Sequence, residues 1–216
     1  MSWMALFSGQ GAQAVGMGAA AAQRFSTSLR VWQEADAIIP GLSVTVFTGP
    51  AETLNRTDCC QPALYVTGLA LAAALDEFKP GWRNKVNAAA GLSLGEFTAL
   101  AFAGSLSFVD GLKLVKLRGQ LMQEACDKNP GSMLSSIGLE RGAVAAALKL
   151  VPGPGVLVAA NINGPFQVAL SGRLEKLEAA LPILKEKGAR VIPLKVAGAF
   201  HSPLMASAAA GLKAAL

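Results

Sequence analysis

The sequence is short of charge, of aromatic residues and of histidine. Only 15% of its 216 residues are charged and 6% are aromatic, and no run of five basic residues occurs. The single tyrosine and the three tryptophans do not alternate with Lys or Arg, as they would on a surface that stacks nucleic-acid bases. We therefore expect no nucleic-acid partner. The net charge of +5 still predicts a surface that weakly attracts acidic partners.

Cysteines and long apolar runs are also scarce. Cys59 and Cys60 are adjacent and Cys126 is distant, a spacing that makes neither a disulfide framework nor a CxxC metal site. This cysteine usage favours a reducing, cytoplasmic setting, and we expect no metal. Residues 1–10 lack a basic leader region, so they predict a first strand and not a signal peptide. The alanine-rich stretches are too short to cross a bilayer, so we expect no membrane partner.

What the chain does have is apolar residues, 52% of the total, which is enough to bury a sizeable core. Apolar runs closed by glycine-rich turns and followed by helical patterns indicate an α/β protein. In the first half the patterns predict strands at residues 4–7 and 86–90, and helices ending near Arg24, at 61–78 and at 97–103.

The second half has a different rhythm. Its order of predicted elements is strand, helix, strand, strand, helix, strand, which matches a ferredoxin-like unit inserted into the larger α/β chain. We place this subdomain at residues 129–196. The strands are predicted at 132–139, 156–161, 167–171 and 189–196, and the helices at 140–150 and 174–187.

The most informative local pattern is Gly91-x-Ser93-x-Gly95, between a predicted strand and a predicted helix. A serine on such a sharp turn needs small neighbours, because another chain segment packs against it. The turn exposes the hydroxyl, and the N–H groups that open the helix point to where an oxyanion would form. The same spacing also occurs in turns that have no catalytic role.

A serine nucleophile needs a base, and His201 is the only histidine in the chain. If a Ser-His pair exists, it is therefore Ser93 with His201. The order Ser then His is the one α/β hydrolases use, and His201 follows a predicted strand. A structural histidine held in a turn is the alternative. No acid between the two stands out, since each candidate can equally be a helix cap or a solvated face: Asp110, Asp127, Glu140 and Glu175.

Six motifs together resemble, in order and spacing, the malonyl-CoA:acyl carrier protein transacylases, and they cover the whole chain. The motifs are Gly9-Gln10-Gly11-Ala12-Gln13, Gln61-Pro62-Ala63-Leu64, Gly91 to Glu96, Arg118-Gly119-x-x-Met122-Gln123, Asn161-x-Asn163 with Gln167, and Gly198 to Met205. The resemblance implies an α/β-hydrolase-like domain at 1–128 and 197–216 around the inserted subdomain. The resemblance also implies that these 216 residues lack the family's C-terminal third, which would carry closing elements of the large domain and the group that accepts from the His201 ring.

The resemblance assigns roles to individual residues. Ser93 would be the nucleophile, His201 the base and Arg118 the partner of the malonyl carboxylate, which a planar guanidinium fork suits. The N–H groups of Gln10 and Leu94 would form the oxyanion hole. Without the resemblance, Arg118 would be interpreted as a helix-surface charge.

Further residues would shape the pocket. Gln61, Asn161 and Asn163 would line it, although each can instead hydrogen-bond a turn. Phe200, with Leu94, matches the pattern that favours malonyl over methylmalonyl groups. Two departures from the family are Leu92, where His is common, and Ser8, where Pro is usual; the first is expected to alter the polarity of the pocket.

The implied reaction is ping-pong transfer of a malonyl group from coenzyme A to the phosphopantetheine thiol of acyl carrier protein, in fatty acid or polyketide synthesis. No cofactor is needed, since malonyl-CoA is the substrate. Two alternatives stay open: a serine hydrolase or thioesterase-like enzyme, and a non-catalytic module that binds the carrier protein.

Overall fold

A computed structural model describes residues 2–216 of the chain. The chain forms two compact units, Met1–Gln120 and Leu121–Leu216, which we call unit 1 and unit 2. This division groups residues 197–216 with those before them. The predicted allocation of 197–216 to the hydrolase-like domain stays a prediction.

Unit 1 is built from one parallel strand pair and a set of helices. Strand β1 (Trp3–Phe7) pairs with β2 (Val86–Gly91), so that Phe7 lies opposite Gly91. The helices are α1 (Ala19–Arg24), α2 (Ser26–Ile38), α3 (Leu42–Thr48), α4 (Ala51–Asn55), α5 (Thr57–Phe78), α6 (Leu94–Phe102) and the first part of α7 (Phe108–Lys128). A short 3₁₀ turn, Trp82–Lys85, leads into β2.

Helix α5 runs through the core of unit 1. Tyr65 and Val66 of this helix are fully buried, and they share a cluster with Trp32, Leu94 and Val115. By length and composition α5 could cross a membrane, but 61% of the qualifying window is buried inside the protein, as in a core helix. The core of unit 1 therefore lies around α5.

Unit 2 contains a sheet and the helices that pack on it. The elements are β3 (Ser132–Ile137), α8 (Arg141–Lys149), β4 (Leu157–Gly164), β5 (Gln167–Gly172), α9 (Leu174–Glu186), β6 (Arg190–Pro193), a 3₁₀ turn (Pro203–Met205) and α10 (Ala206–Lys213). The four strands form an antiparallel sheet in the order β4-β5-β3-β6. One core cluster joins the sheet to helices α8 and α9, through residues such as Leu170, Val144 and Leu184. A second cluster contains Met133 and Ala169 of the sheet together with residues 122–126 and 199–208.

The structure differs from the sequence-based prediction at the starts of two helices and in one stretch that has helices where none are predicted. The first helix begins only at Ala19, because Gly11, Gly16 and Gly18 all adopt positive φ in the turns before it. Helix α5 begins at Thr57, so Pro62 lies inside it and not near its start. Helices α2 to α4 occupy a stretch for which the sequence patterns predict no element.

Candidate active site

Ser93 occupies the turn between β2 and α6, where it is the N-cap of the helix. Its φ of 54° is rare for a residue other than glycine. Both flanking glycines are required by close backbone contacts. A Cβ at position 91 would overlap the carbonyl group of Gly95, and one at position 95 would overlap the carbonyl of Phe7. The predicted tight strand-to-helix turn around Ser93 is confirmed.

The N-terminus of α6 begins at the residue after Ser93. The first N–H groups of a helix have no partner within the helix and carry partial positive charge. The N–H of Leu94 is the first of these, while its side chain is fully buried in the core. Gln10 lies half-buried in the turn after β1, where its Nε2 donates to Thr57 Oγ1 at 3.4 Å.

Arg118, on α7, contacts Ser93 directly. Its Nη2 donates to Ser93 Oγ at 2.9 Å, and its Nη1 donates to Gln61 Oε1 at 2.6 Å. The guanidinium carbon lies 5.7 Å from the centre of the Phe97 ring. Arg118 is half-buried, unlike the exposed Lys113 on the same helix. The alternative of a plain surface charge does not describe these contacts.

The charge of Arg118 has no carboxylate partner among residues 2–216, where the ion pairs join Arg56 to Asp58 and Arg83 to Asp76. Burial lowers the pKa of the Arg118 guanidinium, an effect that nearby Glu96 opposes. An arginine nevertheless stays protonated in proteins. Cys60 does not neutralise it, because burial raises the pKa of that thiol to about 12. A half-buried cation with donors on the serine hydroxyl is suited to an anionic ligand.

Gln61 and Phe97 both contact the Arg118 guanidinium. Gln61 is fully buried on α5, one residue after Cys60, and its bond to Arg118 is a contact within the core and not in a turn. Phe97 was not among the site residues predicted from the sequence. Its position four residues after Ser93, one turn along α6, was the available signal, since such residues share a helix face.

His201 belongs to unit 2, in the loop between β6 and the 3₁₀ turn. It is exposed, and its φ of 57° makes it, with Ser93, one of the two non-glycine residues at positive φ within residues 2–216. Ser202 fixes the loop locally, because its Oγ donates to Ala199 O at 2.7 Å and accepts from Leu204 N–H. Phe200 is buried beside Met205 in the second core cluster of unit 2.

Asn161 and Asn163 lie on β4, whose pairing with β5 is irregular just before Asn161 and again at Asn163. Asn161 is half-buried and Asn163 is exposed. Both are strand residues, and their role in lining the pocket stays a prediction.

The four acidic residues considered as a third member beside Ser93 and His201 lie at the ends of helices. Asp110 bonds Ser107 at the start of α7, and Asp127 accepts from Gln123 on the same helix. Glu140 is the N-cap of α8, and Glu175 lies in the first turn of α9. These surroundings fit the cap or solvated-face alternative for each of them.

Comparison with known proteins places these features in a family. Residues 4–216 match the family model of the acyl transferase domain. The protein is therefore an acyl transferase by class. The chain is 41% identical over 214 residues to a malonyl CoA-acyl carrier protein transacylase of Bacillus subtilis, and 40% identical over 213 residues to that of Haemophilus influenzae. Each match covers 98% of this chain, and they cover 66% and 68% of the respective relatives. The chain therefore belongs to the malonyl CoA-acyl carrier protein transacylase family and spans about two thirds of the length of these relatives.

Solved structures agree with this assignment. The malonyl CoA-acyl carrier protein transacylase of Coxiella burnetii is 34% identical with a TM-score of 0.93, covering 100% of this chain and 68% of that one. A malonyl-transacylase solved in complex with a type II polyketide synthase acyl-carrier protein is 36% identical with a TM-score of 0.92, covering 99% and 69%. The α/β fold is thereby established.

Proposed function

We propose that the chain transfers a malonyl group from coenzyme A to the phosphopantetheine thiol of an acyl carrier protein, through an acyl-enzyme on Ser93. The observation that carries this proposal is the Arg118 guanidinium, half-buried and without a carboxylate partner among residues 2–216, 2.9 Å from Ser93 Oγ. A malonyl ester on that oxygen brings its own free carboxylate within reach of the guanidinium. The pair would replace the hydrogen bond that Arg118 now gives to the hydroxyl.

The first half-reaction forms the acyl-enzyme. Ser93 Oγ attacks the thioester carbonyl and gives its proton to His201, while the oxyanion accepts hydrogen bonds from the N–H groups of Leu94 and Gln10. Each such donor is worth about 10²- to 10³-fold in rate. The carbon–sulfur bond then breaks, and coenzyme A leaves as a thiol with the proton from His201. In the second half-reaction the carrier thiol attacks the ester, gives its proton to His201 and restores Ser93.

The acceptor is proposed from a relative and from charge. A related malonyl-transacylase has been solved with a polyketide acyl-carrier protein bound. The net charge of +5 on this chain is compatible with an acidic carrier, which complementary charge would steer toward the enzyme. Fatty acid and polyketide synthesis both use such carriers. The proposed reaction needs no cofactor, and the cysteine usage is the basis for proposing a cytoplasmic location.

The finer domain description is part of the proposal. We assign residues 129–196 to a ferredoxin-like subdomain and residues 1–128 and 197–216 to an α/β-hydrolase-like domain. The strand order β4-β5-β3-β6 and the helix pair α8 and α9 support the first assignment. The parallel pair β1–β2, with Ser93 at the end of β2, supports the second.

Substrate choice follows from the same site. Acetyl-CoA has no carboxylate, so it would leave Arg118 unpaired and should be a poor substrate. Phe200 is proposed to leave no room for the α-methyl branch of methylmalonyl-CoA. Gln61 acts through Arg118, and Asn161 and Asn163 are proposed to line the acyl or pantetheine path.

The test is intact-mass measurement after mixing the chain with malonyl-CoA. We expect the unchanged protein to gain the mass of one malonyl group, and Ser93→Ala to gain none. The added mass should be lost when a carrier protein with its phosphopantetheine arm is supplied. Ser105→Ala, an exposed serine beyond α6, serves as the matched control and should acylate normally. Loss of the added mass to water as fast as to the carrier would indicate a hydrolase. Carrier binding with no added mass would indicate a non-catalytic module.

A further inference from the structure

A side-chain amide ties the loop that carries His201 to the end of α7. Asn129, the residue after the end of this helix, is half-buried. Its Nδ2 donates to Ala125 O in the last turn of α7 and to Leu204 O beyond His201, both at 3.3 Å. Both partners are acceptors, so only the nitrogen of the carboxamide, with its two N–H groups, can face them. One side chain therefore joins α7 to a residue 75 positions away.

Leu204 is held through both of its backbone polar groups. Its N–H donates to Ser202 Oγ at 3.2 Å, and its carbonyl accepts from Asn129. The bonds of Ser202, to Leu204 N–H and to Ala199 O, join residues of one short loop and would move with that loop. The bond of Asn129 reaches the loop from the end of a helix. It therefore fixes the Leu204 end of the loop relative to α7.

The other end of the loop is held by packing. A Cβ at position 198 would overlap Cys126 Sγ, and one at position 131 would lie 2.8 Å from Ala199 Cβ. His201 lies between this packed end and Leu204, at a φ of 57°. A non-glycine residue keeps such a costly conformation only when the surrounding structure determines it. The conformation of His201 therefore depends on both ends of its loop.

We propose that Asn129 is a positioning residue for His201: its carboxamide holds the Leu204 end of the loop to α7 and so keeps the histidine in its left-handed conformation. The importance of this for catalysis rests on the proposed function, in which His201 takes the proton of Ser93. The chemical requirement at position 129 is two donors. An ionised aspartate has nearly the same shape as asparagine but offers only acceptors, so it would repel both carbonyls.

The first measurement is the rate at which malonyl-CoA acylates Ser93. Asn129→Ala should slow acylation about 2- to 10-fold, the worth of one hydrogen bond, without changing the half-saturating malonyl-CoA concentration. Asn129→Asp should slow it further, and Asn129→Gln, which keeps both N–H groups on a longer arm, should recover part of the loss. Lys128→Ala is the matched control, because it makes the same helix end more negative by one charge, as Asn129→Asp does. The control should acylate like the unchanged protein.

The second measurement does not depend on the reaction. His201 is the only histidine in the sequence, so its imidazole C–H signals in an NMR spectrum are assigned without ambiguity. With every variant folded, Asn129→Ala and Asn129→Asp should shift these signals toward those of a short histidine peptide. They should also speed hydrogen exchange of the Leu204 amide by about 2- to 10-fold, the worth of the lost bond. Lys128→Ala should leave both quantities unchanged.

Three results would overturn the proposal. The first is that Asn129→Ala leaves the His201 signals and the Leu204 exchange unchanged. The second is that Asn129→Asp behaves like the unchanged protein, which would make the position a matter of shape alone. The third is an equal effect of Lys128→Ala and Asn129→Asp, which would assign the effect to charge at the helix end. If the unchanged protein gains no malonyl mass while the NMR and exchange results are as expected, the proposed function fails and Asn129 still positions His201. Asn129→Gln, the mildest change, provides the same measurements should the other variants fail to fold.

Discussion

Ser93 and His201 have nearly the same unusual backbone conformation in very different surroundings. Their φ angles are 54° and 57°. Ser93 is half-buried and held by close backbone contacts at Gly91 and Gly95, whereas His201 is exposed in a loop that Ser202 fixes by hydrogen bonds. A positive φ costs a non-glycine residue about 1–2 kcal/mol. Surrounding structure holds each residue in that conformation, by packing in the first case and by local hydrogen bonds in the second.

The largest expected effect is on the histidine side of this comparison. His201→Asn should slow acylation of Ser93 by about 10²- to 10⁴-fold, because the chain has no second histidine to take the proton. Asparagine tolerates positive φ, so the loop should keep its conformation and the melting temperature should not change. The check is a rapid-mixing mass measurement with malonyl-CoA. Acylation at the unchanged rate would mean that another base serves Ser93.

On the serine side, replacing a glycine that flanks Ser93 should destabilise the protein. Gly95→Ala puts a Cβ onto the carbonyl of Phe7, and Gly142→Ala, on α8, meets open space. We expect the first to lower the free energy of unfolding by about 3 kcal/mol or more, and the second to leave it unchanged or raise it by about 0.5 kcal/mol. Denaturant titration measures both. Equal effects would show that crowding does not hold the serine turn.

The sequence predicts the turn around Ser93 better than the side-chain contacts that reach it from other helices, for a physical reason. Gly91 and Gly95 are a local signal, since the crowding they relieve lies within a few residues of Ser93 and on the adjacent strand. The bonds of Arg118 to Gln61 and Ser93 span 57 and 25 positions, and no periodicity in the sequence encodes such distances. Only the resemblance to a family made Arg118 a candidate site residue, and neither of these two bonds was predicted.

The missed helices have a related cause. Helix α3 reads LSVTVFT, a composition rich in β-branched and aromatic residues that favours a strand, yet it is helical. Burial of Leu42 and Val46 against the core of unit 1 outweighs that local preference. Tertiary packing of this kind is not visible from residues 42–48 alone. The pairing of Ser93 with His201 likewise stays a prediction.

Arg118 tests whether the serine side also selects the substrate. Arg118→Ala should lower kcat/KM for malonyl-CoA by about 100-fold, the loss of a charge-assisted pair, and spare or improve transfer from acetyl-CoA. Arg118→Lys should be intermediate, because it keeps the charge without the planar fork. Lys113→Ala, exposed on the same helix, is the control. Equal losses on both substrates would show that Arg118 supports structure and does not recognise the carboxylate.

The smallest expected effect concerns Phe97, on the serine side. Its ring lies 5.7 Å from the Arg118 guanidinium, a contact worth about 0.5–1 kcal/mol, so Phe97→Leu should lower kcat/KM for malonyl-CoA about two- to fivefold. Transfer from acetyl-CoA should not fall, and Phe97→Tyr should restore the malonyl rate because it keeps an aromatic face. Phe102→Leu is the matched control, since Phe102 lies on the same helix with its ring 4.5 Å from Arg83, away from Ser93. If both leucine variants lower the two substrates alike, Phe97 contributes only packing, and the guanidinium is positioned by Gln61 and Ser93 without it.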